Sequence, residues 1–352
     1  MMMSDLPSEL VEEILSRVPA ADLKRLRSTC KRWNSLFKEP RFTEKHFHKA
    51  PKQPRVLILK DYKIFPMSID FDAAPPSVEF KSPLGLPDSH SNAEKVYIGE
   101  FIQCDGLLLC ITFDKIAVSN PWLGEARWIQ SKYGYKDGSQ FGIGYENKKS
   151  FRSYKILRFG SCWDKNQKHL LEFEIYDSWR VLDDVSLDSN TQLWEVGVVS
   201  LKGNSYGLES TSGNHAALSA VRDEKLSVLH WDNDIYQMTV WVTDRIETEA
   251  ATLSWSKAFK VDFDWRISYP YFKSFLYDEE KKTALCCESC DMGYVTNMTK
   301  LYIIREHDEY NSETPYVGYT DKPYWPYVLD YVPSLVHIPA KVETQEENET
   351  RN

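Results

Sequence analysis

The stretch that decides the fold of the N-terminal part is residues 4–47, and its most informative part runs from residue 6 to residue 33. It reads Leu6-Pro7-Ser8-Glu9-Leu10-Val11-Glu12-Glu13-Ile14-Leu15-Ser16-Arg17-Val18-Pro19 and, after a short turn, Leu23-Lys24-Arg25-Leu26-Arg27-Ser28-Thr29-Cys30-Lys31-Arg32-Trp33. Apolar residues recur in both halves at helical spacing, which predicts two amphipathic helical segments. Pro7 suits a first helical turn, and Pro19 prevents the first helix from continuing. Because fewer than about 50 residues bury too little apolar surface to fold alone, this unit is expected to dock on something larger.

The same residues resemble an F-box. Leu6-Pro7, Arg17-Val18-Pro19 and Cys30-Lys31-Arg32-Trp33 occur together and in the order typical of that module, whereas a generic helical hairpin, the alternative, needs none of them. The resemblance implies a three-helix domain over residues 1–48 that attaches substrate receptors to the Skp adaptor of cullin-based ubiquitin ligases. The apolar residues expected to divide between its small core and the adaptor groove are Leu6, Pro7, Leu10, Ile14, Leu15, Leu23, Leu26, Cys30 and Trp33.

Charge is distributed unevenly along the chain. The protein has 352 residues and a formal net charge of −9, but its first 50 residues hold ten Lys and Arg against seven Asp and Glu. The basic cluster around residues 24–32 invites a nucleic-acid interpretation. The acidic remainder would repel a phosphate backbone, so no nucleic-acid partner is expected.

Targeting and redox signals favour an intracellular protein. No apolar run approaches the roughly 20 residues needed to span a bilayer, and the chain starts without an apolar signal region. Seven cysteines, an odd number without framework spacing, suit a reducing compartment. The expected location is the nucleus, the cytoplasm or both, with no membrane partner.

The hydrophobic period changes from helical to strand-like after about residue 48. Residues 49–95 form a Pro-rich connecting segment with one or two predicted strands, residues 96–340 a β domain, and residues 341–352 an acidic tail that is too polar to order itself. Short apolar runs between turn sequences such as Asp105-Gly106 and Lys202-Gly203-Asn204 indicate many antiparallel strands. Strands are predicted near 96–102, 106–113, 115–119, 126–130, 141–146, 153–159, 170–177, 194–201, 216–221, 226–231, 237–243, 257–263, 273–277, 283–288 and 300–305.

The β region resembles the type-1 F-box-associated domain of plants. The similarity covers most of residues 96–338 and includes Cys104-Asp105-Gly106-Leu107-Leu108-Leu109-Cys110, Asn120-Pro121-Trp122, Tyr154-Lys155-Ile156-Leu157-Arg158-Phe159, Val199-Ser200-Leu201-Lys202-Gly203-Asn204 and Pro333-Ser334-Leu335-Val336-His337-Ile338. It implies a β-propeller-like domain that holds a protein substrate. Leu335-Val336-His337-Ile338 is expected to form the closing strand of this domain. A β-sandwich or barrel is the alternative, because internal repeats are weak. Overall the expected fold is α+β by segment, with helices followed by an all-β domain.

One departure from that family pattern lies after Gly207. The chain runs from Gly207 through a polar stretch directly into Ala216, where one or two further strands are expected. One blade of the propeller should therefore be truncated, leaving an open strand edge near residues 200–208.

No pattern in the sequence locates a catalytic, cofactor or metal site. The run Cys286-Cys287-Glu288-Ser289-Cys290 lacks the second ligand pair that zinc requires, and His46 and His48 are the only close histidine pair. Acidic pairs such as Asp183-Asp184, or Asp262 with Asp264, resemble ordinary acidic turns. Neither a P-loop nor a nucleophile elbow occurs. A non-catalytic protein without cofactor or metal is expected.

The functional hypothesis is a substrate-recognition subunit of a Skp–cullin–F-box ubiquitin ligase. Its partners would be a Skp-type adaptor, through it a cullin scaffold and a RING subunit, and an unidentified protein substrate whose binding residues are unknown. The alternatives are a lectin-like or small-molecule-binding β domain tethered to the adaptor, a propeller enzyme of the hydrolase type, and a degenerate F-box protein with impaired substrate binding.

Overall fold

The structure is a computed structural model of the chain. It describes residues 6–71, 73, 76–86, 96–112, 115–129, 139–148, 151–163, 169–177, 180–188, 197–208, 214–222, 224–232, 234–247, 253–262, 272–291, 297–306, 313–314, 319–320 and 326–338. The predicted tail at 341–352 lies outside the described residues. No helix in the described part of the chain is long and apolar enough to cross a membrane.

The N-terminal module has four helices, where three were predicted. They are α1 (Ser8–Leu15), α2 (Ala20–Leu26), α3 (Lys31–Leu36) and α4 (Pro40–Lys49). The predicted second helical segment is divided because Cys30 is extended, with φ −145° and ψ 122°. Before it, the hydroxyls of Ser28 and Thr29 donate to the carbonyl oxygens of Arg25 and Leu26. Such side-chain bonds to nearby backbone compete with helix propagation.

The small core of this module is completed by the far end of the chain. Val11, Leu15, Leu23 and Phe42 are buried together with Leu335, a residue that follows the last strand. The helices therefore dock on the β domain, as predicted, because they share one apolar cluster with it.

The rest of the described chain forms six antiparallel sheets, which we call blades 1 to 6 in chain order. Blade 1 combines β1 (Arg55–Lys60), β2 (Lys63–Asp70) and β3 (Ser77–Phe80) with the last strand, β23 (Tyr327–Tyr331). Blade 2 contains β4 (Ile98–Cys104), β5 (Leu107–Thr112), β6 (Ile116–Asn120) and β7 (Glu125–Ile129). Blade 3 contains β8 (Gln140–Lys148), β9 (Phe151–Trp163), β10 (His169–Asp177) and β11 (Arg180–Asp188).

The remaining blades follow the same pattern with one exception. Blade 4 has only β12 (Gly197–Leu201) and β13 (Asn204–Leu208) among the described residues. Blade 5 contains β14 (Asn214–Val221), β15 (Lys225–Asp232), β16 (Gln237–Thr243) and β17 (Trp255–Asp262). Blade 6 contains β18 (Phe275–Asp278), β19 (Thr283–Asp291) and β20 (Asn297–Arg305), with β21 (Glu313–Thr314) and β22 (Tyr319–Thr320) both paired to β20.

The blades are arranged in a closed ring. One strand of each blade lies at the centre, and β23, β4, β8, β12, β14 and β18 contact one another in that order, with β18 returning to β23. Closure protects the central strands, which is how propellers manage sheet edges. The predicted propeller-like architecture is therefore confirmed over the alternative of a sandwich or barrel.

The ring is closed by pairing the two ends of the β domain. β23 pairs antiparallel with β1, so that Leu57 lies opposite Leu329. The prediction that Leu335–Ile338 forms the closing strand is wrong: this segment is not a strand, and it packs beside the helical module instead. The segment 49–95 contains three strands rather than one or two, because β1, β2 and β3 belong to blade 1.

The truncation predicted after Gly207 is confirmed as the short blade 4. Its hairpin packs against blade 3 at two glycines, Gly142 and Gly144. On its other side, Leu201 and Tyr206 pack against blade 5. Blade 5 is wider than blade 4, and two of its outer residues, Trp241 and Trp255, are 37% and 39% exposed.

Candidate functional site

The helical module presents an exposed apolar strip on α1. Leu10 and Ile14 are 50% and 44% exposed, whereas Val11 and Leu15 on the opposite face of the helix are buried. Residues four apart lie on the same face of a helix, so Leu10 and Ile14 form one continuous ridge, with exposed Pro7 at its N-terminal end.

The nine residues predicted to serve the core and the adaptor groove divide as follows. Leu15 and Leu23 are buried in the core of the module. Pro7, Leu10 and Ile14 are exposed, and those of intermediate exposure are Leu6, Leu26, Cys30 and Trp33. Leu6, Leu26 and Trp33 pack against the same core while partly buried, so five of the nine contribute to packing. Pro7, Leu10 and Ile14 remain on the outer surface of the module, and contact with an adaptor stays a prediction.

Ion pairs on its polar side hold α1 against α4. Lys45 Nζ lies 2.9 Å from Glu12 Oε1 and 3.1 Å from Glu13 Oε2, and Lys49 Nζ lies 2.7 Å from Glu13 Oε1. Hydrogen bonds from Lys49, then Arg17 and Lys45, lower the pKa of Glu13 to about 2. The carboxylate therefore stays ionised, and the apolar ridge has a fixed orientation relative to α4.

A buried histidine fixes the end of the first helical segment. His46 Nε2 donates to the carbonyl oxygen of Val18 at 2.8 Å, and its ring packs on Phe42 with the ring centroids 6.1 Å apart. Burial lowers the pKa of His46. The neutral ring can donate this one hydrogen bond without the cost of a buried charge.

Polar contacts join the helical module to the β domain at several points, and the first is at Trp122. Its indole Nε1 donates to the carbonyl oxygen of Ala20 at 3.0 Å. Lys24 Nζ and Arg55 Cζ each lie 5.0 Å from the Trp122 ring centroid, within the range of cation–π contacts. Trp122 therefore binds both the start of α2 and the start of β1.

The second contact is a nearly buried arginine on β9. Arg152 Nη1 lies 2.6 Å from Asp105 Oδ2, Arg152 Nη2 lies 3.1 Å from Glu44 Oε1 on α4, and the guanidinium lies 3.7 Å from the Phe47 ring centroid. Tyr154 also donates to Asp105 Oδ2 at 3.0 Å. Burial by itself would lower the pKa of Arg152. The charge of the Asp105 carboxylate outweighs this effect, so the pKa of Arg152 is raised.

The third contact lies in the segment after β23. His337 Nδ1 is 2.7 Å from Glu125 Oε1, and His337 Nε2 is 3.3 Å from the carbonyl oxygen of Phe37. Burial would raise the pKa of Glu125, but hydrogen bonds from His337 and the Ile338 N–H lower it. This segment therefore bridges β7 and the end of α3.

Buried Asn120 organises the same segment. Its Nδ2 donates to the carbonyl oxygens of Ser334 and Val336 at 3.2 and 2.8 Å, and its Oδ1 accepts from the backbone N–H groups of Trp122 and Leu123. One amide side chain thus holds together the β6–β7 turn that carries Trp122 and the segment that carries Leu335. Together, the three contacts fix the helical module on one end of the propeller.

The weaker sequence candidates do not assemble into a site in the described residues. His46 and His48 have separate partners, Val18 and Glu44. Cys286 and Cys287 are buried, and burial raises the pKa of Cys287 to about 12, so its thiol stays protonated. Asp264 and the side chains of Asp183, Asp184 and Cys290 lie outside the described residues. In the described part of the chain, no group of three or more His, Cys, Asp and Glu could hold a metal ion.

Comparison with known proteins gives the family. The sequence matches the model of the F-box domain over residues 3–45 and that of the F-box associated beta propeller domain over residues 55–216 and 208–338. The chain belongs to the F-box proteins that carry this propeller domain. F-box proteins of this architecture are substrate adaptors that bind Skp-type proteins in ubiquitin-ligase complexes, and they are generally non-catalytic.

Curated relatives from Arabidopsis thaliana align with most of the chain. F-box only protein 9 is 46% identical and is aligned over 99% of both chains. An F-box/kelch-repeat protein is 44% identical, with 96% of this chain and 98% of the relative covered, and a further F-box protein is 46% identical over 81% of this chain and 93% of the relative.

The comparisons also bear on the short blade. The alignment with F-box only protein 9 is 382 positions long against 352 residues in this chain, so at least 30 positions of the relative have no counterpart here. The propeller family model is matched in two pieces, and the two matches overlap at residues 208–216. This junction directly follows β13, where blade 4 ends.

Proposed function

We propose that this protein is the substrate-recognition subunit of a Skp–cullin–F-box ubiquitin ligase in the nucleus or cytoplasm. Its helical module would bind the Skp-type adaptor, and through it a cullin and a RING subunit. The propeller would hold a protein substrate close to the ubiquitin-charged enzyme, so that catalysis in the complex depends on proximity.

The observation that carries the proposal is the exposed ridge of Pro7, Leu10 and Ile14. These apolar groups remain in solvent although the opposite face of the same helix is buried against Leu335. A patch of exposed apolar residues on the surface of a folded protein is typical of protein interaction sites. The ridge is therefore available to a partner without any change in the docking of the module on the propeller.

The fixed joint between module and propeller supports the same proposal. A receptor that works by proximity must keep its adaptor-binding face and its substrate-binding face in a constant relation. Arg152, Trp122 and His337 supply three separate polar contacts between the two parts. A flexible tether would instead lower the effective concentration of substrate at the enzyme.

Co-purification tests the proposal directly. The full chain, expressed together with a Skp-type adaptor, a cullin and a RING subunit, is expected to form one complex on size exclusion. Leu10→Ala combined with Ile14→Ala provides the matched control, because it removes the exposed ridge but leaves buried Val11 and Leu15 in place, and it should release the adaptor. Failure of the intact chain to bind any Skp-type adaptor would contradict the proposal.

A further inference from the structure

The short blade 4 leaves part of the neighbouring blade 5 uncovered. Tyr206 and Leu208 of β13 pack in one apolar cluster with Val228 of β15. Val228 lies directly opposite Trp241 of β16, so both side chains are on the face of blade 5 that is turned toward blade 4. Val228 is partly buried in that cluster, whereas Trp241 is 37% exposed. The cover that blade 4 provides on this face therefore ends between β15 and β16.

The uncovered part of this face carries tryptophans and lysines. Lys257 of β17 lies opposite Trp241, with its Nζ 6.0 Å from the indole ring centroid. Trp255 is two residues from Lys257 and therefore lies on the same side of the strand. Lys260 lies opposite Thr239, which shares the side of Trp241 on β16. These three side chains of β17 are exposed, so the space beside blade 4 has an aromatic and basic wall.

The two lysines on this wall have no carboxylate partner among the described residues. Lys225 of the same blade, by contrast, is paired with Glu279 at 2.7 Å. Asp262, at the end of β17, does not serve either lysine, because it accepts from Gln237 Nε2 at 2.6 Å. In a chain with a net charge of −9, two lysines without such partners beside exposed tryptophans favour a partner that carries negative charge.

The opposite wall of the space belongs to blade 3 and is apolar. Gly142 of β8 packs closely on β13, since a Cβ at Gly142 would lie 2.7 Å from Ser205 Oγ. Leu157 lies opposite Gly142, and Ile175 lies opposite Leu157, so both continue the same face outward. Both side chains are only partly buried. We call the space between these two residues and the exposed tryptophans the blade 4 gap.

The floor of the blade 4 gap is the outer edge of β13. β13 pairs with β12 through residues 204–208, and no other described strand pairs with it. An added strand satisfies the backbone N–H and C=O groups along such an edge. Blade 5 has two further strands, β16 and β17, at the positions that blade 4 lacks. An extended peptide therefore fits the gap, with its side chains pointing alternately toward blade 3 and blade 5.

We propose that the blade 4 gap binds an extended acidic segment of the protein substrate, which adds to β13 as a strand. Apolar side chains on one face of this segment would meet Leu157 and Ile175. On its other face, aromatic groups would pack on Trp241 and Trp255, and carboxylates would pair with the two lysines of β17. The role of the partner as a substrate rests on the proposed function, whereas binding of the segment itself does not.

Fluorescence anisotropy with the labelled peptide Val-Glu-Val-Phe-Val-Glu-Val-Glu tests the proposal on the full chain. Its valines can meet blade 3, and its phenylalanine and glutamates can meet blade 5. Wild type should bind this peptide saturably, and a matched peptide with lysine in place of each glutamate should bind more than about tenfold more weakly. Lys257→Glu combined with Lys260→Glu should reverse this preference. Trp241→Ser combined with Trp255→Ser should weaken binding of the glutamate peptide at least about tenfold.

Hydrogen exchange locates the bound peptide. On binding, amides of residues 204–208 should exchange more slowly, whereas those of residues 226–231 should exchange as before. Lys63→Glu is the matched control, because it changes the charge of an exposed lysine on blade 1 and should leave peptide binding unchanged. Circular dichroism should show that each variant is folded. If the double tryptophan variant fails to fold, the exchange of the two lysines for glutamate still decides the outcome.

The proposal is overturned if wild type fails to bind the glutamate peptide, if the double lysine variant keeps the wild-type preference, or if binding does not protect residues 204–208. High protection of these amides in the free chain would also overturn it, because a second copy or the chain itself would then cover the edge. Leu10→Ala combined with Ile14→Ala should release the adaptor but leave peptide binding unchanged. Failure of adaptor binding and failure of peptide binding are therefore recognised separately.

Discussion

Arg152 of the propeller donates to Glu44 of the helical module across a distance of 3.1 Å, and the same guanidinium is also paired with Asp105 at 2.6 Å. The arginine side chain is only 8% exposed. A charge in this position is tolerated because two carboxylates and the face of Phe47 surround it. This residue is one of the contacts that hold the two parts of the chain in a fixed relation.

Replacing Arg152 should therefore weaken the whole fold. Arg152→Met would leave Asp105 without its buried partner, and breaking a buried pair commonly costs about 3 to 5 kcal/mol. Urea denaturation should show a drop of this order in the free energy of unfolding. Arg222→Met is the matched control, because Arg222 pairs with Glu280 on an exposed surface, where ion pairs add little to stability, and the free energy of unfolding should stay near that of wild type. Equal effects of the two variants would contradict the assignment of Arg152.

A glycine between blades 3 and 4 should be intolerant of a side chain. A Cβ at Gly144 would collide with the carbonyl oxygen of Gly203 in the β12–β13 turn. Backbone cannot move aside as a side chain does, so Gly144→Ala should lower the free energy of unfolding by about 1 to 3 kcal/mol. Gly99→Ala is the control, since its added methyl would meet nothing closer than 3.9 Å. If both variants unfold with the same free energy as wild type, blade 4 does not pack closely against Gly144.

The open edge of blade 4 should be visible in hydrogen exchange. β13 is paired on one side only among the described strands, whereas β15 lies between β14 and β16. Amides of residues 204–208 should therefore exchange faster than those of residues 226–231. Equal, high protection in both strands would mean that another part of the chain covers the edge of β13.

The helical module should lose stability in mild acid. Burial lowers the pKa of His46 from its usual 6.5, so the unfolded chain takes up a proton more readily than the folded one. Stability is then fully present above pH 6.5 and decreases as the pH falls below that value. Thermal melting between pH 8 and pH 5 measures this trend, and His46→Gln should reduce its slope. A pH profile identical in wild type and His46→Gln would refute the role of His46.

Sequence alone was sufficient for the features that depend on local pattern. Pro7 and Pro19 mark the limits of the first helical segment, and Asp105-Gly106 and Lys202-Gly203 form the predicted turns, with Asp105 and Lys202 at positive φ as turns of this kind require. The short blade 4 could also be predicted, because a missing segment leaves a gap in an otherwise familiar order of strands.

Contacts between distant residues could not be predicted in the same way. Nothing near Leu335 indicates that it completes the core of a module 300 residues earlier, so its segment was taken for the closing strand. Trp122 lies in a block that was recognised by resemblance, yet its hydrogen bond to Ala20 depends on the ring closure. Arg152 is an ordinary strand charge in sequence, and only the fold brings Asp105 and Glu44 to it.

The proposed function depends on adaptor binding by the ridge on α1, and calorimetric titration with a purified Skp-type adaptor measures this binding. Leu10→Ala combined with Ile14→Ala removes exposed apolar groups from α1 but leaves buried Leu15 in place. Truncating central interface anchors should weaken adaptor binding about 30- to 1,000-fold, while the melting temperature stays near that of wild type. Trp241→Ala with Trp255→Ala removes similarly exposed groups from the propeller and should leave adaptor affinity unchanged. Wild-type affinity in the Leu10 and Ile14 double variant would mean that the ridge on α1 does not bind the adaptor.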